Sequence, residues 1–119
     1  MIKEVVDFLK PSLEIVFGSG NVEFSTDLPL RIKNTVSFFV NSLSKNDYGN
    51  SYGTVCNWEL VWSVDGTLDE TYVSIDTTLT NLIKTIETET NINSVEFSYD
   101  EAGRTTFVFI TLTTKFYDI

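Results

Sequence analysis

The sequence contains no histidine and only one cysteine, Cys56. A serine or threonine hydroxyl needs a neighbouring base to become a nucleophile, and the imidazole that usually serves as this base is absent. A single thiol cannot form a disulfide within the chain, and no spaced set of metal ligands is present. We therefore expect a protein that is not an enzyme, that has no cofactor and no metal site, and that needs no oxidising compartment. Cys56 is expected to be a small buried side chain on a strand.

Positively charged residues are scarce, because eight Lys and Arg stand against 17 Asp and Glu and leave a formal net charge of −9. Binding to a nucleic-acid backbone is driven by cationic side chains that displace counterions, so this composition disfavours a conventional nucleic-acid-binding protein. Three interpretations of the acidity stay open. It can be a solubility feature, a surface past which DNA slides without sticking, or a mimic of DNA that occupies a basic groove of another protein.

Long apolar runs are also missing. No stretch approaches the roughly 20 residues that a membrane-spanning helix requires. The first residues, Met1 to Glu4, lack a basic stretch followed by a continuous apolar segment. We expect no membrane association and a chain that is cytosolic when made.

Aromatic residues, by contrast, are abundant. Nine Phe, five Tyr and two Trp supply large side chains for a core, and 42% of the 119 residues are hydrophobic. A chain of this length can bury roughly two thirds of the surface that it exposes when unfolded. We predict a single α+β domain over residues 1–119, with a mostly antiparallel sheet of about four to five strands packed against two helices.

The first part of the chain predicts a helix and two strands. Residues 2–17 place apolar side chains at helical spacing, and Pro11 in the middle predicts a kink or a break into two short helices. Residues 21–25 predict a short strand. Pro29 then favours an extended entry into a strand that we place at residues 32–43, where apolar and polar side chains alternate.

The middle of the chain predicts a loop, a strand and a connection. Residues 44–53 are rich in turn-forming residues and predict a mobile loop, in which Tyr48 and Tyr52 are candidates for protein contacts. Residues 54–64 form the clearest strand, because a slip of one residue would expose both tryptophans. Residues 67–75 predict an irregular, partly acidic connection.

A second helix and a hairpin complete the predicted elements. The helix is expected to begin at a capping residue among 76–78 and to fray near residues 89–91. The sequences SVEFSYD and RTTFVFITLTTKFYDI predict two long strands, joined by the polar turn at residues 101–103.

The final strand carries aromatic side chains on the face opposite its buried residues. Phe107 and Phe109 lie on this face, and Tyr117 continues it. Phenylalanines on a face that would otherwise meet solvent indicate partial covering, either by a loop or by another subunit. Phe107, Phe109 and Tyr117, together with Tyr48 and Tyr52, are therefore the candidate interface residues.

Clustered carboxylates are the remaining candidates for chemistry. The acidic pairs at residues 69–70 and 100–101 could act as acid and base, but both lie in predicted turns or connections without a basic partner. Asp47, Asp65 and Asp69 do not follow the ligand spacing of a calcium-binding loop. We interpret these carboxylates as solvated.

Five segments follow one another in an order that is informative as a whole. They are the opening helix IKEVVDFLKPSLEIVF, the strand led by Leu28–Pro29, the strand NWELVWSVDG, the helix TTLTNLIKTI and the ending SVEFSYDEAGRTTFVFITLTTKFYDI. Over almost the whole chain, this order resembles the tail terminator proteins of long-tailed bacteriophages. In that family a comparable aromatic strand, a turn and a long final strand close the domain.

The resemblance implies a structural virion protein. Members of the family form a six-subunit ring that caps the completed tail tube, stops its polymerisation and offers the surface to which the filled head attaches. The implied partners are further copies of this chain, the tail tube protein and a head-completion or neck protein, while the genome passes through without specific binding. The implied location is the head–tail junction of the virion, after synthesis in the host cytoplasm. In such a ring the candidate interface residues would contact neighbours, and Asp65, Asp69 and Glu70 could line a lumen that repels passing DNA.

Two alternatives stay open. Other neck or head-completion proteins, and related subunits of contractile injection machines, share small α+β designs. An acidic inhibitor that mimics DNA belongs to a different class and is motivated by the net charge of −9. Such a mimic should place its acids in a row along one exposed face, whereas the acids of this sequence are scattered among all the predicted elements.

Overall fold

The computed structural model describes residues 2–25, 35–48 and 51–117, with the backbone only for residues 46–48 and 51–52. Within this part of the chain the elements follow in the order α1 (Ile2–Phe17), β1 (Val22–Phe24), β2 (Val36–Tyr48), β3 (Ser51–Asp65), α2 (Leu68–Thr85), β4 (Thr90–Asp100) and β5 (Thr105–Phe116). The strands form one sheet in the order β1-β2-β3-β5-β4. The β1–β2 pair is parallel and the other pairs are antiparallel. The predicted α+β class is confirmed.

Both helices cover the same face of the sheet, and the core lies between them and the central strands. Trp58 is fully buried at its centre, where its ring stacks edge-on with Phe38 at 6.4 Å and its indole Nε1 donates a 2.9 Å hydrogen bond to Thr114 Oγ1. Two further edge-on ring pairs hold α1 against the sheet: Phe8–Phe116 at 5.1 Å and Phe17–Trp62 at 5.2 Å.

The prediction for β3 is confirmed. Its alternate side chains face the helices and are buried, namely Cys56, Trp58, Leu60, Trp62 and Val64. Because the register of β3 against β5 is continuous from Thr54↔Phe116 to Asp65↔Thr105, the same alternation orients β5. The side chains of Val108, Ile110 and Leu112 consequently meet the helices as well.

Helix α1 is not broken at Pro11. It runs without interruption from Ile2 to Phe17, so the predicted division into two short helices is wrong. Pro11 lies on the exposed side of the helix, where water can solvate the carbonyl that loses its partner. The buried Leu9 and Leu13 on either side keep both halves against the core.

The predicted loop at residues 44–53 is also wrong. Strands β2 and β3 continue to pair through this region as far as Tyr48↔Ser51. The paired residues 44–48 and 51–53 are here called the hairpin arm. Ser44 and Lys45 are exposed, so this part of β2 needs no apolar alternation and can carry the polar residues that are typical of a loop. The predicted strand at residues 32–43 begins at Val36, and residues 26–34, including Pro29, lie outside the described residues.

Helix α2 begins eight residues or more before the predicted start. Thr67 caps it, because its Oγ1 accepts a hydrogen bond from the backbone N–H of Glu70 at 3.3 Å. The residues Thr67 to Glu70 have the spacing of a capping box, so the predicted irregular connection at 67–75 contains a helix start. The helix ends at Thr85, and β4 begins at Thr90, where fraying was predicted.

Burial raises the pKa of the Cys56 thiol from the usual 9.0 to about 11. At about pH 8 the folded protein should therefore hold roughly 100-fold less thiolate than the unfolded chain. We expect iodoacetamide to label the native protein at least about 100-fold more slowly than the urea-unfolded protein, as followed by mass spectrometry. Equal labelling rates would contradict the buried position.

The same shift predicts a loss of stability at high pH. The unfolded chain releases the thiol proton near the usual pKa of 9.0, whereas the folded chain retains it up to about 11. The free energy of unfolding should therefore decrease as the pH rises through this window. A Cys56→Ala variant should lack this contribution, which separates it from the titration of other groups.

Candidate functional site

The face of the sheet opposite the helices, here called the open face, carries an apolar patch. In the strand register Val61 lies between Ser37 and Phe109, and Ser63 lies beside Phe107. Phe107 and Phe109 are half-buried, while Val61 is only 2% exposed. Phe39 occupies the next position on the same face of β2, so four apolar side chains adjoin on the open face.

A band of polar, hydrogen-bonded side chains lies beside this patch and crosses four strands of the open face. Asn57 Nδ2 donates to Ser42 Oγ at 2.9 Å, and Asn57 Oδ1 accepts from Thr113 Oγ1 at 2.8 Å. Thr113 Oγ1 in turn accepts from Asn93 Nδ2 at 2.7 Å. These side-chain hydrogen bonds link β2, β3, β5 and β4 in addition to the backbone pairing of the strands. The band lies between the apolar patch and the hairpin arm.

Two β-bulges lie at the level of this band. One interrupts the β2–β3 register between Val40 and Ser42, and the other interrupts the β4–β5 register between Ile92 and Ser94. Trp58 pairs with Leu112 between them, so both irregularities fall on one line across the sheet. Bulges bend a strand and increase its twist, so the open face changes direction along this line.

The five candidate interface residues fall into two groups. Phe107 and Phe109 belong to the apolar patch of the open face. Tyr117 follows the end of β5, roughly 26 Å along the strand from Phe109. The backbones of Tyr48 and Tyr52 lie in the hairpin arm at the same end as Tyr117, and their side chains are outside the described residues. The interface role of all five stays a prediction.

Tyr117 has a local partner. Its side chain is 51% exposed, and its hydroxyl donates a 2.9 Å hydrogen bond to Glu89 Oε2. Glu89 Oε1 also lies 3.6 Å from Lys115 Nζ. The ring therefore has a defined position at the base of the hairpin arm.

The three candidate lumen acids lie near the junction of β3 and α2. Asp65 is the last residue of β3, and Asp69 and Glu70 form the first turn of α2, where the helix dipole favours negative charge. Glu70 Oε1 forms an ion pair with Arg104 Nη2 at 3.1 Å, with both side chains more than half exposed. Asp65, Glu70 and Arg104 line one polar cleft. Glu70 thus has its charge partly compensated, which the sequence did not predict.

A second apolar surface was missed by the sequence analysis. Helix α2 and strand β4 form a groove of about 390 Å³, here called the edge groove, whose lining includes Leu68, Tyr72, Val73, Leu79, Val95 and Phe97. The pattern of Val95, Phe97 and Tyr99 on one face of β4 was visible in the sequence. The groove itself was not visible in the sequence, because its other wall includes Tyr72 and Val73. These two residues lie in the part of α2 that was predicted to be an irregular connection.

The acidic residues are concentrated in one part of the chain and are not scattered evenly among the elements. Residues 65–104 contain nine of the 17 Asp and Glu but two of the eight Lys and Arg, which leaves −7 of the net −9 in this part of the chain. Helix α2, strand β4 and the following turn all belong to it. The edge groove therefore lies in the most acidic part of the protein.

Among the described residues, no group of three or more Asp, Glu or Cys side chains is arranged to hold a metal ion. No helix in the same part of the chain is long and apolar enough to cross a membrane.

Comparisons with known proteins give a likeness of fold. No protein-family model matches the sequence, and no curated protein matches it. Among solved structures, a chain in the virion of a native gene transfer agent particle superimposes with a TM-score of 0.59. The match covers 98% of this chain and 97% of the virion chain at 7% sequence identity. At this identity the likeness concerns the fold: the protein is similar in fold, over nearly its full length, to a chain of a gene transfer agent virion.

Proposed function

We propose that this protein is a structural subunit of a phage-like virion, in which six copies form a ring that caps the tail tube, ends its polymerisation and joins the tail to the head. The observation that carries the proposal is the fold likeness to a virion chain, which extends over nearly the whole of both chains. Because one fold can host several functions, the likeness supports a virion protein, and the ring and its position rest on the resemblance in element order.

The surfaces of the chain fit an assembly role. A closed ring needs two different patches on each subunit that complement each other. The apolar patch of the open face and the edge groove lie on different sides of the sheet. The patch holds half-buried phenylalanines, and the groove exposes apolar side chains. We further propose that the protein acts through these contacts and not through catalysis. Its partners would be other copies of itself, the tail tube protein and a head-completion or neck protein.

The acidic surface fits a channel for DNA. In the proposed ring Asp65, Asp69 and Glu70 face the lumen and repel the passing genome. The carboxylate of Glu70 pairs with Arg104, which weakens its share of this repulsion.

Electron microscopy of particles from a virus that lacks the gene for this chain tests the proposal. We expect filled heads beside unjoined tails of irregular length, and normal particles when the wild-type gene is supplied in trans. Unjoined tails of regular length would favour a neck or head-completion role without termination. Normal infectious particles without the gene would refute a virion role.

The concentration of acids in residues 65–104 favours one other candidate, an inhibitor that mimics DNA. Such a protein would bind a DNA-handling enzyme, and duplex DNA would compete for the same groove. The apolar edge groove among the carboxylates is not a feature of a phosphate-like surface, so we place this candidate second. Competition by duplex DNA for binding of the protein to such an enzyme would reverse the order.

A further inference from the structure

The edge groove is an exposed apolar surface beside the outer edge of strand β4. Tyr72 and Val73 on α2 are 61% and 60% exposed, and Phe97 on β4 is 46% exposed. Strand β4 is eleven residues long and has no strand partner on its outer side among the described residues. Contiguous exposed apolar side chains mark interaction sites, and a free strand edge can accept an extended segment of another chain.

Charge disfavours a symmetric contact between two edge grooves. The groove itself includes Asp76, and α2, β4 and the following turn hold most of the net charge of the protein. In a two-fold contact the same patch of both copies meets, so carboxylates would face carboxylates at an energetic cost. The occupant of the groove should therefore be a different, cationic and apolar segment.

One stretch of the same chain has this chemistry. Residues 28–33 read Leu-Pro-Leu-Arg-Ile-Lys, so Leu28, Leu30 and Ile32 alternate with other residues, two of which are Arg31 and Lys33. In an extended segment, alternate side chains point to opposite sides. A segment added along the outer edge of β4 would turn its apolar side chains to the edge groove and both cations to the open face, where Glu96 lies beside Phe109.

A chain cannot place this stretch in its own groove. The stretch lies between Ser25, which is bonded to β2, and Thr35. Strand β4 lies three to four strand spacings away from β1 and β2, which corresponds to roughly 14–19 Å. Residues 26–34 must leave from Ser25 and return to Thr35, so they can extend roughly 15 Å from the sheet position of these two residues. At most the middle of the segment could touch β4 of the same chain, and the six residues 28–33 could not lie along the groove. The occupant must come from another copy.

We propose that the edge groove binds residues 28–33 of a neighbouring copy of this chain, so that the copies join head to tail. The contact rests on the proposed function, for which it supplies a contact between subunits of the ring. A head-to-tail contact uses two different patches, and it closes into a ring when the rotation between neighbours is suitable.

Sedimentation velocity over a concentration series, with variants on both sides of the contact, tests the proposal. Val73→Asp places a carboxylate in the apolar groove and should weaken self-association at least about 100-fold. Ile15→Asp is the matched control, because Ile15 is 74% exposed on α1, and it should associate like the wild type. The double variant Arg31→Glu with Lys33→Glu changes the segment instead of the groove, and it should also lose self-association. Circular dichroism and thermal unfolding verify that each variant is folded.

Mixing the two defective proteins gives the sharpest result. The Val73→Asp copy retains its segment, and the copy with Arg31→Glu and Lys33→Glu retains its groove. One intact contact can then form between unlike copies, so the mixture should give dimers and nothing larger.

Three outcomes would overturn the proposal. They are a wild-type chain that is monomeric at every concentration, a Val73→Asp variant that associates like Ile15→Asp, and a mixture without dimers. Failure here is distinguishable from failure of the ring function. Deletion of the gene would still give unjoined, irregular tails if the ring used another contact, and normal particles would refute the virion role whatever the association in solution.

Discussion

Replacement of Trp58 by alanine should lower the free energy of unfolding by about 3–5 kcal/mol. Trp58 is fully buried between the helices and the sheet, and its ring contacts Phe38. Removal of the indole leaves a cavity that the surrounding strands cannot close, because β3 is paired on both sides. Native domains have a free energy of unfolding of about 5–15 kcal/mol, so this loss is a large part of the total. Urea unfolding followed by circular dichroism measures it.

Trp58→Phe is the matched control. It keeps a large ring in the core and removes the hydrogen bond from Nε1 to Thr114 Oγ1. Thr114 Oγ1 also lies 2.9 Å from Thr90 Oγ1, so it retains a partner. The phenylalanine variant should therefore lose about 1–2 kcal/mol, less than the alanine variant. A Trp58→Ala protein within about 1 kcal/mol of the wild type would contradict the central position of this ring.

The success of the β3 prediction and the failure of the loop prediction have one physical cause. Trp58 and its alternate neighbours must all face the core, so the sequence pattern reports the strand directly. Ser44 and Lys45 are exposed and have no core residue to cover, so backbone pairing decides the structure of this part of β2. Polar residues carry no periodic signal in that situation. Hairpin arms beyond a core are consequently difficult to distinguish from loops.

The start of α2 was missed for a different reason. Apolar side chains at residues 68, 72, 75 and 79 stand at helical spacing, but Tyr72 and Val73 are residue types that favour strands. The capping spacing from Thr67 to Glu70 was a second signal of the helix. Tyr72 and Val73 are exposed and line the edge groove, so the residues that obscured the helix also form the candidate contact.

The candidate surfaces differ in how far sequence could predict them. The face that Phe107 and Phe109 occupy follows from alternation along β5, and it was predicted correctly. The edge groove depends on how α2 lies over the outer strand, which is a tertiary relation with no local pattern. The pairing of Glu70 with Arg104 joins residues 34 positions apart and is hidden from sequence for the same reason.

Replacement of Gly66 by alanine should lower the free energy of unfolding by about 2–3 kcal/mol. Gly66 joins β3 to α2 with a φ of +113°, which side chains rarely adopt. A Cβ there would lie 3.2 Å from Glu70 Oε2 and from Thr71 Cγ2, so crowding adds to the strain. The backbone cannot move away freely, because the Gly66 N–H donates to the Arg104 carbonyl at 2.7 Å and its carbonyl accepts from Thr106 Oγ1 at 2.8 Å.

Gly20→Ala is the matched control, because Gly20 has a φ of +90° and a Cβ added there would meet no atom within 4 Å. It should show strain alone, about 1 kcal/mol, and the difference between the two variants measures the crowding at Gly66. Equal losses of stability in the two variants would show that the neighbours of Gly66 move aside for the added Cβ. No loss of stability in either variant would contradict the positive φ values. Because the junction fixes where α2 begins, a larger loss at Gly66 means that one wall of the edge groove is held by backbone geometry, as a binding surface for another subunit requires.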